Sequence, residues 1–153
     1  ENAYLKASAF SSASELVSLA DDSGLEVDVL DGLPGLHSAR LSSKPNASDA
    51  DRRRHLLTIL MSKPKPWTAS FRSVVAIAAP NGKVFYSEGI CPGEIIPDER
   101  GAGGFGYDPI FLIPEIGKTM AELSMTQKNK ISHRGKAVNA ARPILAEIFK
   151  NID

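Results

Sequence analysis

Hydrophobic positions recur at helical spacing near both ends of the chain. Apolar residues from Tyr4 to Ala13 approximate one helical stripe, which predicts a first helix over residues 1–13. At the other end, Ser132 to Lys150 predicts a final helix. Pro143 should kink this helix, because proline cannot donate the helical hydrogen bond.

Shorter apolar runs separated by turn residues predict strands after the first helix. Leu16 to Ala20 predicts a short buried strand that carries Asp21 and Asp22 at its carboxyl end. Val27 to Leu30 should continue in extended conformation until the turn residues at 31–35.

A hairpin gives the clearest strand signal. Residues 69–79 and 83–90 are rich in strand formers and flank Pro80-Asn81-Gly82, which predicts an antiparallel pair. Further helices are expected after Ser48 and after Ser124, whose side chains can cap a first turn. The order of elements predicts an α/β fold, with a mixed central sheet flanked by helices in a single domain over residues 1–153.

Composition narrows the possible partners. The chain has 153 residues, of which 42% are hydrophobic, enough for one globular domain with a core. Lys+Arg and Asp+Glu each number 18, so no overall field attracts nucleic acid or an anionic membrane. The single cysteine, Cys91, cannot form an internal disulfide, and no apolar stretch is long enough to span a bilayer. A soluble protein of the cytoplasm is therefore expected, without nucleic-acid or membrane partners.

The first cluster of candidate functional residues is Asp21-Asp22-Ser23-Gly24. Magnesium is commonly held by one or two carboxylates together with substrate phosphates, so an acid at a strand end is a candidate ligand. Neighbouring side chains in an extended segment point in opposite directions, so only one of the two acids can line a given cleft. An Asx turn that merely ends the strand is the structural alternative.

The second cluster is the glycine-rich run from Gly101 to Pro109. Glycines allow close backbone approach to a ligand, and Phe105 or Tyr107 offers a face on which a base can stack. The spacing matches neither a Walker nor a Rossmann motif. A surface loop with two anchoring aromatic residues is the alternative.

The third cluster is basic and runs from Lys128 to Lys136. Ser132, His133 and Arg134 supply hydroxyl, imidazole and guanidinium donors suited to a keto oxygen or a phosphate. A solvated basic face is the alternative. The run Arg52-Arg53-Arg54 is interpreted as solvent-facing, and no His/Cys spacing indicates zinc.

Taken in order, these clusters resemble the inosine triphosphate pyrophosphatase family, whose members cleave inosine, deoxyinosine and xanthosine triphosphates to the monophosphate and pyrophosphate. The resemblance extends from Glu1 to about Leu145. It is carried by the following segments: Glu1-Asn2-Ala3, Lys6-Ala7, Ala20 to Asp28, Gly32-Leu33-Pro34-Gly35, Ser38-Ala39-Arg40, Gly103 to Phe111, Thr119, Ala121-Glu122-Leu123, Lys128-Asn129 and Ile131 to Gly135.

The resemblance implies a role for each matched residue. Asp22 matches the catalytic acid, which accepts a proton from the attacking water and binds Mg²⁺. Lys6 matches a lysine near the phosphates, and Ser23 matches a substrate contact. The remaining substrate-binding positions are Phe105, Gly106, Tyr107, Asp108, Lys128, His133 and Arg134, with Phe105 as the stacking ring. Donors from His133 and Arg134 would suit the keto oxygen of hypoxanthine or xanthine, whereas the amino group of adenine would leave them unpaired.

The chain departs from the family pattern at its beginning. Family members start with a strand and a Ser/Thr-x-Asn-x-x-Lys loop that cradles the triphosphate, and this motif is absent. We therefore expect an N-terminally truncated chain, which the resemblance further implies to be a homodimer. The alternative function is a catalytically impaired purine-nucleotide-binding or dimerisation domain. Nucleic-acid binding through the basic segments is disfavoured by the zero net charge.

Overall fold

The computed structural model describes residues 1–150 and contains ten regular helices and strands in that range. They are, in chain order, α1 (Asn2–Ser14), β1 (Ser18–Val27), β2 (Pro34–Gly35), α2 (Asp49–Leu60), β3 (Trp67–Ala78), β4 (Val84–Ile95), β5 (Phe111–Ile113), β6 (Lys118–Thr119), α3 (Met125–Ile131) and α4 (His133–Lys150). Short 3-10 turns connect several of them.

The six strands form one sheet in the order β2-β1-β3-β4-β5-β6. The pairings of β1 with β2, β4 with β5, and β5 with β6 are antiparallel. The neighbours β3 and β4 are joined by a short turn in which Ala79 N donates to Lys83 O at 2.9 Å, and so short a connection joins only antiparallel strands. The predicted α/β class and hairpin are confirmed.

Helix starts follow the capping residues expected from the sequence. Ser48 caps α2, and the side chains and backbones of Ser48 and Asp51 form a reciprocal capping box. Ser124 and Gln127 make the equivalent pair of hydrogen bonds before α3, at 3.0 and 3.2 Å. Helix α4 continues through Pro143, and the predicted kink stays a prediction.

The region around the paired acids differs from the sequence prediction. Strand β1 begins at Ser18 and ends at Val27, so Asp21 and Asp22 lie inside the strand and not at its carboxyl end. The strand is not deeply buried at its start, since Leu19 is exposed, and Leu16, which was predicted to belong to it, precedes it and is also exposed. Residues Asp28–Leu30, predicted to be extended, form a 3-10 turn. Apolar identity alone did not reveal that the strand continues across four polar or small residues.

The chain forms two compact units, each drawn from separate segments. The first comprises Glu1–Ser23, Arg72–Ile90 and the described part of Ile131–Asp153. The second comprises Gly24–Phe71 and Cys91–Lys130. The sequence prediction of a single domain stays a prediction.

In the first unit, β3 is packed by a helix on each face. Val75 and Ile77 pack with Ala137 and Ala141 of α4, together with Ile148. The alternate residues Ala76 and Ala78 pack with Ala3 and Ala7 of α1. Since consecutive side chains of a strand point to opposite faces, α1 and α4 cover opposite faces of the sheet.

The second unit has a core of its own. Leu25 and Val27 at the end of β1 are fully buried, as are Leu56 and Leu60 on the inner face of α2. The rings of Phe71 and Phe111 pack with their centroids 4.4 Å apart. Phe111 is the first residue of β5, so this core lies directly after the segment that connects β4 to β5.

Strand β4 approaches the start of α4 closely at Gly89. A Cβ atom built at Gly89 would lie 2.0 Å from His133 O and 2.4 Å from Ala137 N. Ser87 Oγ donates to Ala137 O at 2.9 Å, and Lys136 Nζ donates to Ile90 O at 2.8 Å. The absence of a side chain at Gly89 therefore allows β4 to lie against the first turn of α4, which carries His133 and Arg134.

We predict that Gly89→Ala destabilises the protein by about 3 kcal/mol, because the new methyl group would collide with helix backbone that cannot move without unpacking α4. Urea-induced unfolding followed by circular dichroism measures the change. Gly117→Ala is the control, because Gly117 has a positive φ of 63° but open space around its Cα. Gly117→Ala should lower the free energy of unfolding by only about 1 kcal/mol, the penalty for a left-handed backbone conformation. Equal losses in the two variants would contradict the proposed close approach.

Candidate active site

Asp22 lies on the α1 face of β1. Its carboxylate accepts hydrogen bonds from Asn2 Nδ2 at 3.2 Å and from Lys6 Nζ at 3.3 Å. Lys6 Nζ also donates to Asp21 O at 2.8 Å, which ties the ammonium to the strand backbone. The Asp22 side chain is 25% exposed, so it is oriented by neighbours and still reachable by solvent. The sequence-predicted residues Lys6 and Asp22 are therefore brought together.

Asp21 points to the other face of the same strand. Its carboxylate accepts a hydrogen bond from Arg134 Nε at 2.8 Å, near the start of α4. Ser23 Oγ lies 3.4 Å from Asp21 Oδ2 and donates to Ser73 Oγ at 3.0 Å. Ser73 is fully buried, so this row of polar groups runs from the protein interior to the exposed Arg134.

Because of this alternation, the structure does not place Asp22 beside Arg134. Asp22 is grouped with residues of α1, whereas Arg134 is grouped with Asp21 on the face covered by α4. His133 is the first residue of α4 and is buried. Ser132 caps this helix, with Gly135 N donating to Ser132 Oγ at 3.1 Å. The two neighbouring acids thus have different partners, as the alternation of an extended segment predicts.

The glycine-rich loop folds around the buried carboxylate of Asp108. Asp108 Oδ2 accepts hydrogen bonds from Phe105 N at 2.9 Å and from Lys128 Nζ at 2.5 Å. Lys128 Nζ also lies 5.1 Å from the centroid of the Phe105 ring, a cation–π distance. Gly104 has a φ of 73° and leaves no room for a Cβ atom beside Asp108. Three of the predicted substrate-binding residues therefore form one cluster.

The two aromatic side chains of this loop have different environments. Phe105 is 60% exposed, although Lys128 lies beside its ring. Tyr107 is buried, and its hydroxyl donates to Ser38 O at 2.7 Å. Burial raises the pKa of Tyr107 to about 12, so this hydroxyl stays protonated and keeps its hydrogen bond at neutral pH. Tyr107 anchors the loop, whereas the Phe105 side chain is largely exposed.

Sequence reasoning missed the part played by α2. The run Arg52-Arg53-Arg54 was expected to face solvent, but only Arg54 does so, with a side chain 76% exposed. The Arg53 side chain is 12% exposed and donates to Gly106 O at 2.8 Å. Arg52 donates to Asp49 Oδ1 at 2.5 Å. The expectation is wrong for Arg52 and Arg53, because α2 presents both to neighbouring loops.

Asp49 completes this group of contacts. Its Oδ2 accepts a hydrogen bond from Gly106 N at 2.7 Å, 57 residues away in the chain. The hydrogen bond from Arg52 and, next, the one from Gly106 N hold the pKa of Asp49 below its usual range. The four-residue spacing of Asp49 and Arg53 places them on one helix face, which a sequence can reveal. Their target in a distant loop leaves no such local signal.

The residues around Asp22 offer a metal ion a single carboxylate, which Lys6 also contacts. Within residues 1–150, no group of three or more histidine, cysteine or acidic side chains is arranged to hold a metal ion. Asp21 faces away from Asp22, so the pair offers one carboxylate and not two on the α1 face. Such a site suits an ion that takes most of its remaining ligands from water and substrate phosphates, as Mg²⁺ commonly does.

No helix of the described chain has the length and apolar character needed to cross a membrane.

Named relatives are similar in sequence to this chain over most of its length. The chain is 48% identical over 150 residues to a dITP/XTP pyrophosphatase from Desulforamulus reducens, covering 97% of this chain and 74% of that protein. It is 50% identical over 139 residues to a dITP/XTP pyrophosphatase from Geobacter sulfurreducens, covering 90% of this chain and 69% of the relative.

Solved structures agree with the sequence comparison. A HAM1 protein from Coxiella burnetii superimposes with a TM-score of 0.89 at 40% identity, covering 95% of this chain and 75% of that one. The Staphylococcus aureus Ham1 protein gives a TM-score of 0.88 at 41% identity, with the same coverage. The Ham1 family model matches residues 1–144, which include all the predicted site residues. The resemblance inferred from the sequence motifs is thereby confirmed, and the chain belongs to the Ham1 family.

Proposed function

We propose that this protein hydrolyses non-standard purine nucleoside triphosphates, such as dITP, ITP and XTP, to the monophosphate and pyrophosphate, and so removes them from the nucleotide pool. The proposal rests above all on one observation. A reachable carboxylate, Asp22, is oriented beside the Lys6 ammonium in a chain that is 48% identical to a dITP/XTP pyrophosphatase. The direct test is to incubate the protein with dITP and Mg²⁺ and to measure pyrophosphate release.

Asp22 has the properties of a general base in this reaction. Its carboxylate is oriented by Asn2 and Lys6, yet a quarter of the side chain remains exposed to the attacking water. A positioned carboxylate that accepts a proton in the transition state accelerates hydrolysis. We assign Asp22 the role of accepting the proton of the water that attacks the α-phosphorus atom, from which pyrophosphate departs.

Lys6 supports the phosphate end of the substrate. Its ammonium is half exposed and is held by both Asp22 and the backbone of β1. A fixed positive charge there favours a polyphosphate chain and the charge that develops on the pyrophosphate leaving group. Asp22 also offers the carboxylate for Mg²⁺, which when bound neutralises phosphate charge and acidifies a bound water.

Base binding is assigned to the loop cluster of the second unit. The exposed ring of Phe105 supplies a stacking surface, and the Lys128–Asp108 pair limits where that ring can lie. Aromatic stacking accepts any base, so it contributes affinity without selecting one base over another. Gly106, Tyr107 and Asp108 hold the loop in shape.

Selectivity for keto purines is assigned to the start of α4. His133 and Arg134 carry donors that would be satisfied by a keto oxygen and left unpaired by the amino group of adenine. Asp21 accepts from Arg134 Nε and so sets the plane of the guanidinium, while Ser23 lies next to Asp21. The two adjacent acids then have separate tasks: Asp22 in chemistry and Asp21 in orienting Arg134.

Two further properties complete the proposal, the first implied by the family resemblance and the second by the composition. We propose that the protein acts as a homodimer, which light scattering after gel filtration tests directly. We also place its activity in the cytoplasm, with a free nucleotide and not a nucleic acid as its partner.

The role of Asp22 predicts the effect of removing its charge. Asp22→Asn should reduce the turnover of dITP by about a hundredfold or more, because an amide cannot accept the proton from water. Equilibrium binding of inosine monophosphate should change little, since the base contacts are assigned elsewhere. The readouts are pyrophosphate release and isothermal titration calorimetry.

Asp31→Asn is the matched control for this substitution. Asp31 is exposed in a turn at a φ of 52°, a backbone conformation that asparagine tolerates well. Turnover by this control should equal that of the unaltered protein. Full activity in Asp22→Asn would remove Asp22 from the mechanism, and purine binding without turnover in the unaltered protein would favour the binding-domain alternative.

The role of His133 predicts a loss of discrimination. His133→Ala should lower the ratio of kcat/KM for dITP to that for dATP by about tenfold, the effect of removing one donor matched to the keto oxygen. His55→Ala is the control, because His55 is an exposed histidine on α2. An unchanged ratio in a folded His133→Ala protein would exclude this residue from base selection.

A further inference from the structure

The peptide groups on both sides of Gly106 are held by side chains of one helix face. Gly106 N donates to Asp49 Oδ2 at 2.7 Å, and Gly106 O accepts from Arg53 Nη1 at 2.8 Å. Asp49 and Arg53 stand one helical turn apart on α2. The peptide bond before Gly106 and the one after it are therefore fixed independently.

Each of the two holding side chains is itself fixed by a charged partner. Arg53 makes a two-pronged contact with Glu99, from Nε at 2.8 Å and from Nη2 at 3.0 Å. Asp49 uses its other oxygen, Oδ1, to accept from Arg52. The Arg53 side chain is 12% exposed, and the two-pronged contact with Glu99 fixes the plane of its guanidinium more strictly than a single hydrogen bond would.

These charges are retained over a wide pH range. The hydrogen bond from Arg53 lowers the pKa of Glu99, and those from Arg52 and Gly106 N lower the pKa of Asp49. A carboxylate whose pKa is lowered by folding stabilises the folded form at pH values above its unfolded pKa. That contribution is lost only as the pH falls through the lower folded value. Both contacts therefore persist at neutral pH.

The exposed Phe105 ring needs such support. A buried aromatic side chain is positioned by packing on all sides, whereas Phe105 is 60% exposed. Its direction depends on the backbone at Phe105 and Gly106, where the φ of Gly106 is 60°. Phe105 N is fixed by Asp108, and the next peptide group is fixed by Asp49.

We propose that Asp49 and Arg53 are positioning residues for base binding: from α2 they hold the backbone around Gly106 so that Phe105 presents its ring to the purine. This inference rests on the proposed function, since it assumes that Phe105 stacks on the base. Neither residue touches the base. Both act through the conformation of the loop, which distinguishes them from the substrate-binding residues named above.

The test measures binding without turnover, using inosine monophosphate as the probe in calorimetry and no metal ion. Asp49→Ala and Arg53→Lys should each weaken binding by about tenfold, because each loses a charge-assisted hydrogen bond that preorganises the loop. In the hydrolysis of dITP, KM should rise by a similar factor while kcat changes less than twofold. Asp49→Asn should recover part of the affinity, since its amide oxygen can still accept from Gly106 N.

A double substitution separates positioning from general destabilisation. If Asp49 acts through Phe105, then Asp49→Ala should weaken binding much less in a Phe105→Ala background than in the unaltered protein. Additive losses in the double variant would overturn the proposal. Arg54→Ala is the control on the same helix, because the Arg54 side chain is 76% exposed and contacts Asp51, not Gly106. Its affinity should equal that of the unaltered protein.

The outcomes also separate this proposal from the proposed function. Unaltered affinity in Asp49→Ala and Arg53→Lys, in a protein that hydrolyses dITP, would overturn the positioning roles alone. Purine binding by the unaltered protein without turnover would overturn the hydrolytic function and leave the positioning test valid. Should Asp49→Ala not fold, Glu99→Gln removes a partner of Arg53 without touching Gly106, and unchanged affinity in that variant would count against the role of Arg53.

Discussion

The alternation of side chains along β1 is the constraint on which the first unit depends. Because adjacent residues of a strand point to opposite faces, Asp21 and Asp22 cannot share a task despite being neighbours. The helices then complete each face: α1 brings Asn2 and Lys6 to Asp22, and α4 brings Arg134 to Asp21. One strand thereby supplies two distinct electrostatic environments within a single peptide step.

The sequence was sufficient to predict that Asp21 and Asp22 point to opposite faces of the strand. It was not sufficient to predict which residues contact them. The paired acids, the capping residues Ser48 and Ser124, and the hairpin turn all carry local signals, and the structure confirms the helices and the hairpin that they predict. The extent of β1 was misjudged, because Asp21, Asp22 and Ser23 lack the apolar character that marks a buried strand. They remain in the strand because long-range hydrogen bonds satisfy them, including that of Ser23 to Ser73.

The arginine run on α2 shows where local reasoning ends. Three consecutive arginines suggest side chains that are exposed to solvent, because a charged side chain is costly to bury without a partner. Here the partners are Glu99, 46 residues away from Arg53, and the backbone of Gly106, 53 residues away. No periodicity or spacing reports contacts of this length. Roles could be assigned from the sequence only to residues in the segments that carry the family resemblance. Asp49 and Arg53 lie in none of those segments.

The two aromatic residues of the loop illustrate two ways of placing a ring. Tyr107 is placed by burial and a hydrogen bond to Ser38 O, which orders it but leaves no face for a ligand. Phe105 is 60% exposed, and the backbone around it and Lys128 beside it contribute to its order. Ordering a loop before the ligand arrives removes an entropic cost from binding. In the proposed stacking role of Phe105, the charged side chains of Asp49 and Arg53 would supply this order through their hydrogen bonds to the backbone of Gly106.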